Sequence, residues 1–340
     1  MAATYIALLA ACVIGVMLES RQRPPERMRI ALLGSPADED YAGASALKAH
    51  IETHTEGAIS VEIYHSGQFC ANPRECIGHM RSGALDVFMT TFGGLATVHP
   101  PAQAFDLPYL FDNDAVAECV LDGDMVSVLR REVLAADLGL RLMVIGNTGG
   151  WRNFATTRRP IRTAADLKGL KIRTTAAPIG QALVVRLGAN PTPVAWSEVY
   201  AALATGVVDG AKNSVQDIVS MRLEEQIKHI VLDRHGYMGA AWWYSERRWS
   251  ALSPERRRVV EEGFASLRDV TRATPKRMAE DAYAAFRAAG GAVYVPSIEE
   301  KATFKTAARG MRQWYRARHG EAWLTRLDAA IETCSASRTD

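Results

Sequence analysis

The stretch Thr163-Ala164-Ala165-Asp166-Leu167-Lys168-Gly169-Leu170-Lys171-Ile172-Arg173 decides the fold class. Thr163 is a helix N-cap, and Gly169 stops the short helix Ala164 to Lys168 because glycine enters the left-handed region without a Cβ penalty. Leu170 and Ile172 then carry a strand that ends at Arg173. Pro178 starts the next helix, which runs to Leu187 and is closed by Gly188. The cycle repeats. Pro191 to Val194 is extended, Ser197 caps Glu198 to Thr205, Gly206 stops that helix, and Val207 to Ala211 is a strand. Short strands alternating with capped helices build a mostly parallel sheet with right-handed crossovers, which is an α/β fold.

The same alternation begins upstream at Met28. Strands are predicted at Met28 to Leu33, Ile59 to Tyr64, Leu85 to Met89 and Arg141 to Ile145. Helices are predicted at Ala37 to Thr55, Pro73 to Arg81, Asp114 to Leu121 and Met125 to Ala136. Gly146, Gly149 and Gly150 break the pattern before it restarts, so two similar α/β units join near residue 150. After an apolar strand at Tyr237 to Tyr244, helical spacing runs from Pro254 to about Ala289, bent at Pro275. A helix this long spans both units. A last strand is predicted at Gly291 to Val295.

The 340 residues have room for two domains, and 40 Lys plus Arg against 38 Asp plus Glu leave a formal charge of +2. That balance argues against a nucleic-acid or lipid-surface partner. Tyr5 to Leu18 is an apolar run short for a membrane span and suited to an export signal, and Leu9-Ala10-Ala11-Cys12 fits a lipid-attachment pattern. Cys70 and Cys76 bracket Asn72-Pro73-Arg74-Glu75, which reads as N-cap, N1 proline and capping glutamate. The two sulfurs then occupy the place of a hydrophobic staple, either as a disulfide or as two buried thiols. His50 and His54 stand one helical turn apart, a spacing that more often marks a wet helix face than a metal site; no metal is expected.

In an open α/β sheet, ligands bind beyond the carboxyl ends of the strands. That rule selects Arg173, Asn213, the run Thr90-Thr91-Phe92, and Arg152 just past the glycine break. Two arginines at the mouth of a cleft suit an anion, since a guanidinium fork matches a carboxylate bidentately. Each has a plainer reading: a surface ion pair for an arginine, an N-cap for Asn213, core packing for Trp196 and Trp242. Strand alternation turns Trp243 away from Trp242. The residues alone define an anion-binding two-domain protein.

From Met28 onward the chain resembles the DctP-type extracytoplasmic solute receptors of tripartite ATP-independent periplasmic (TRAP) transporters. The resemblance is carried by Arg81 to Asp86, Phe105-Asp106-Leu107-Pro108-Tyr109-Leu110-Phe111, Asp166 to Arg173, Gly188 to Pro193, Ser197-Glu198-Val199-Tyr200 and Val207 to Gly210, in that order. It implies a two-domain periplasmic-binding-protein-like clamp with a hinge and a long domain-spanning helix. Residues 1–27 would be the signal or anchor segment, 28–149 plus about 238–275 domain I, and 150–237 plus about 276–335 domain II.

It further implies that Arg173 holds a ligand carboxylate, that Asn213 contacts the ligand, that Arg152 is a second ligand arginine, and that Trp196 packs on the ligand. Thr91, Phe92 and Trp242 complete the expected wall, with Lys212 a further positive group. Lys212 before Asn213 departs from the family's usual Glu-Asn, and Thr91 stands where sialic-acid-binding members place an acid. The implied protein is a periplasmic monomer, tethered or not through its N-terminal segment or Cys12. It uses no cofactor and works with small and large membrane subunits. A ligand-sensing subunit of a signalling system is the alternative, and an enzyme using the same cleft a weaker one. With few amides and carboxylates foreseen in the cleft, the ligand is expected to be a fairly apolar or aromatic carboxylate.

Overall fold

The computed structural model of the protein describes residues 24–336. The apolar run Tyr5 to Leu18 and Cys12 lie outside the described residues. No helix among the described residues is long and apolar enough to cross a membrane.

One nine-stranded sheet runs through the described chain in the order β2-β1-β3-β8-β4-β7-β5-β6, with β9 against β8. Its strands are β1 (Glu26–Ala31), β2 (Ile59–Tyr64), β3 (Val87–Thr91), β4 (Leu140–Thr156), β5 (Lys171–Thr174), β6 (Asn190–Pro193), β7 (Gly210–Asn213), β8 (His229–Ser245) and β9 (Ala292–Tyr294). Pairing is parallel toward both ends, β2-β1-β3 and β7-β5-β6. The middle is antiparallel, because β4 and β8 run through both halves in opposite directions.

This corrects the reading of residues 146–150 as the end of a strand. β4 continues for 17 residues through the glycines, and the irregularity is a shift in register against β8 between Asn147 and Trp151. Gly149 and Gly150 adopt φ of 96° and 92°, and a Cβ on Gly149 would lie 2.4 Å from Ser214 Oγ. The bulge therefore absorbs the break while the ladder resumes beyond it. β8 likewise begins at His229 rather than Tyr237.

The long helix spans Pro254–Ala288, 35 residues with Pro275 inside and Ser253 as N-cap. Its first half packs closely on helix Glu39–His54, where a Cβ on Gly43 would lie 2.4 Å from Thr271 Cγ2. Farther along, the carbonyl of Pro275 accepts from Gln216 Nε2 at 2.8 Å, and Phe286 shares a core with Ile218 and Ile230 of the other half. Trp242 and Trp243 fall into different cores, as alternation requires.

Two disulfides are present among the described residues, Cys70–Cys76 and Cys119–Cys334, with Cα separations of 5.3 and 5.9 Å. The first closes one of the two alternatives read from the sequence. The second ties helix Asp114–Asp122 to the C-terminal helix Ala322–Ala336 across 215 residues of sequence.

Candidate functional site

A cavity of about 460 Å³ opens where the two halves meet, beyond the ends of β3, β5 and β7. Arg173 enters it from β5 and is 5% exposed. Its Nε and Nη2 both donate to the Val194 carbonyl, at 3.0 and 2.9 Å, and its guanidinium carbon lies 5.4 Å from the Trp196 ring centroid. Two of five N–H donors are thus spent on positioning, and an end-on pair on Nη1 and Nη2 remains for a ligand. Burial, and then the neighbouring Arg152, push the Arg173 pKa down to about 9, so it is charged at neutral pH.

Arg152 lines the same cavity from β4, just past the bulge, and its Nη1 donates to the Lys212 carbonyl at 3.5 Å. Asn213 is the last residue of β7, opposite Asn153. Its Nδ2 donates to Asp217 Oδ2 at 3.0 Å, while its buried Oδ1 has no partner among the described residues. The predicted strand Val207 to Ala211 starts later than expected, at Gly210, because Asp209 turns back to accept Lys171 N–H at 2.8 Å. Trp196 is half-buried in the wall. Thr91 is there too, its hydroxyl accepting Gly94 N–H at 3.2 Å as the cap of a short turn of helix.

Arg173, Arg152, Asn213, Trp196 and Thr91 are therefore brought together, but two other expected wall residues are not. Phe92 is buried in the core, stacked on Phe105 at 4.7 Å, with its ring over Gly239, where a Cβ would lie 2.1 Å from Phe92 Cε2. Trp242 is fully buried among Ile30, Leu47, Phe264 and Leu267. Both corrections have one cause: apolar rings with a core to fill leave the cavity to smaller polar groups. Lys212 is also displaced, since alternation sends it to the face opposite Asn213. It lines a separate cavity of about 20 Å³ with Asp106 and His235, where burial and then Arg152 push its pKa down to about 7.

Sequence reasoning missed the acidic wall. Asp38 and Asp40, at the start of helix Glu39–His54, line the cavity together with Asp217. Thr148 donates its hydroxyl to Asp40 Oδ2 at 2.8 Å, and Asp38 caps the helix by accepting Tyr41 N–H at 3.3 Å. Burial, and then Asp217, push the Asp38 pKa up to about 7; burial and then Asp38 raise Asp40 well above the carboxylate range. The signal was available. Asp38-Glu39-Asp40 opens the helix that comes after the first strand, and Arg173 lies at the end of its own strand, so the strand-end rule covers both. Asn72 and Arg74, inside the Cys70–Cys76 loop, complete that side. The expectation of a cleft poor in carboxylates, and with it the argument for an apolar ligand, is overturned.

No group of three or more His, Cys, Asp or Glu among the described residues is placed to hold a metal ion. His50 and His54 stack on each other at 4.0 Å, with His54 Nδ1 2.8 Å from the His50 carbonyl.

Fixed donors on one wall and fixed acceptors on the other, in a cavity between two halves of one α/β sheet, define a small-solute-binding protein. The sequence matches the bacterial extracellular solute-binding proteins of family 7 (DctP) over residues 31–317, and the chain belongs to that family. Among relatives, the C4-dicarboxylate-binding periplasmic protein DctP of Rhodobacter capsulatus is 30% identical over 251 residues, 73% of each chain. The 2,3-diketo-L-gulonate-binding periplasmic protein YiaO of Escherichia coli K12 is 27% identical over 256 residues, 75% of this chain and 76% of that one. The sugar acid binding protein DctPAm of Advenella mimigardefordensis, solved with galactonate, has the same fold. It has a TM-score of 0.87 at 23% identity, over 91% of this chain and 99% of that one.

Proposed function

We propose that this protein is the extracytoplasmic receptor of a TRAP transporter, binding a small organic carboxylate and delivering it to the small and large membrane subunits. The observation that carries the reading is Arg173, a buried guanidinium anchored on Val194 with its end-on donors unspent in the cavity wall. Arg152 and the free amide oxygen of Asn213 extend the polar site, and Trp196 supplies its flat apolar face. The names of the Rhodobacter and Escherichia relatives, both binders of carboxylic acids, support the same ligand class.

The receptor acts as a monomer in the periplasm, free or held at the membrane through its N-terminal segment or Cys12. Residues 28–149 with about 238–275 form one lobe and 150–237 with about 276–335 the other. Closure bends β4 and β8 at the bulge beside Arg152. A thermal-shift screen of organic acids on ligand-stripped protein, with native mass spectrometry of the freshly purified protein, tests the reading. Stabilisation by at least one carboxylic acid and a retained acid in the spectrum are expected; stabilisation by neutral sugars alone would overturn it.

A further inference from the structure

We propose that the ligand is bipolar: a carboxylate at Arg173 and Arg152, and at its far end a protonated amine received by Asp38 and Asp40. The inference rests on the carboxylate reading above and adds the second half of the ligand.

Asp40 carries the argument. It is 4% exposed and lines the cavity. Thr148 engages Oδ2, but the buried Oδ1 has no hydrogen-bond partner. Among the described residues, neither Asp38 nor Asp40 pairs with a basic side chain. The groups acting on Asp40 are burial, Asp38, the Thr148 hydroxyl and Asp217. A buried carboxylate without a counter-charge is costly, and closing the cleft removes the water that would pay part of that cost. Without a cation, burial and Asp38 hold Asp40 toward its neutral acid, and a ligand hydroxyl would leave it there. A ligand cation supplies the counter-charge that the ionised form lacks and fills the open position at Oδ1.

Charge is ordered along the cavity. Asp217 acts on both Arg152 and Arg173 on one side and on Asp38 and Asp40 on the other. The N-terminus of helix Glu39–His54 favours the ionised form of its cap and first-turn carboxylates, so the acidic end is poised to hold negative charge once a cation arrives. Burial and then the charge of Asp217 push Asp38 up to about 7 in the absence of such a partner. An organic cation fits better than a metal ion, because no three carboxylates or imidazoles among the described residues converge on one point.

The test is calorimetry on matched acids that differ only at the far end: 4-aminobutyrate against 4-hydroxybutyrate, and 5-aminopentanoate against 5-hydroxypentanoate. At least one amine-bearing acid is expected to bind about tenfold or more tightly than its hydroxy partner. Asp40→Asn should shrink that ratio by about fivefold or more. Asp38→Asn, which keeps a good N-cap, should shrink it as well and guards against misfolding of the first variant. Arg173→Ala should weaken both members of the pair alike. Equal binding within every pair, or tight binding confined to amine-free acids such as uronates or C4 dicarboxylates, overturns the bipolar ligand and leaves the carboxylate receptor standing. If no acid binds, or Arg173→Ala changes nothing, the carboxylate reading fails and this inference fails with it.

Discussion

The Val194 carbonyl accepts two hydrogen bonds from Arg173, at 3.0 Å from Nε and 2.9 Å from Nη2. Val194 follows β6, which pairs with β5 through Arg173 and Thr192, so the backbone of one strand end aims the side chain of its neighbour. An ammonium has no Nε and no fork. Arg173→Lys should therefore lose both the anchor and the bidentate contact, recovering little of the roughly 2–5 kcal/mol of binding that Arg173→Ala costs. Calorimetry with any acid found by screening reads this directly. Lysine performing within about twofold of arginine would mean that a point charge suffices.

Asp38 supplies a pH dependence whose sign is fixed. Its pKa in the folded chain is raised to about 7, so stability present below the unfolded value near 4 is lost as pH rises to about 7. Asp38→Asn keeps the N-cap acceptor and removes the charge. In the ligand-free protein the variant should match the parent near pH 4 and exceed it above pH 7, by on the order of 1–3 kcal/mol. That amounts to a few degrees in Tm for a protein of this size. Asp38, Glu39, Asp40 and Asp217 titrate as a group, so the gain should spread over more than one pH unit. A pH-independent difference in Tm would exclude the buried-charge account.

The two disulfides should separate stability from affinity. Cys119–Cys334 closes a very long loop, and replacing both residues by serine should cost roughly 2–5 kcal/mol of stability with little effect on binding. Cys70–Cys76 closes a short one whose Asn72, Pro73 and Arg74 line the cavity. Its double serine variant should change Tm less and weaken ligand binding several-fold, because the wall is no longer pre-organised. Chemical denaturation and calorimetry on the two double variants distinguish these outcomes; a reversed pattern contradicts the assignment.

Much of this was legible beforehand because the local signals agreed with the tertiary fold. The Thr163 cap, the Asn72 cap and the long helix from Pro254 to Ala288 lie where residue chemistry put them. The strand-end rule selected Arg173, Asn213 and Thr91, which line the cavity, for the same reason. Three things were not legible. Glycines that interrupt a pattern look like a strand end, and only the partner strand shows that β4 resumes after a bulge. Phe92 and Trp242 follow strand ends or sit on a central strand, yet which face has a core to fill is a tertiary fact. The Cys119–Cys334 pairing spans 215 residues, and no local signal reports a contact at that range.

Two halves joined by β4, β8 and the long helix should close on ligand by bending at the Asn147–Trp151 bulge. Small-angle scattering with and without saturating acid should show a smaller radius of gyration in the bound state. Superimposable curves would argue for a cleft already closed.

The central claim is that a carboxylate is what the cavity recognises. The most direct measurement is paired calorimetry of one binding acid and its primary carboxamide, which keeps the shape and removes the charge. With Arg173 buried, anchored and holding two unspent donors, the carboxamide should bind about a hundredfold or more weakly than the acid, and Arg173→Ala should abolish most of that difference. Equal affinity of acid and carboxamide in the parent protein would contradict the account.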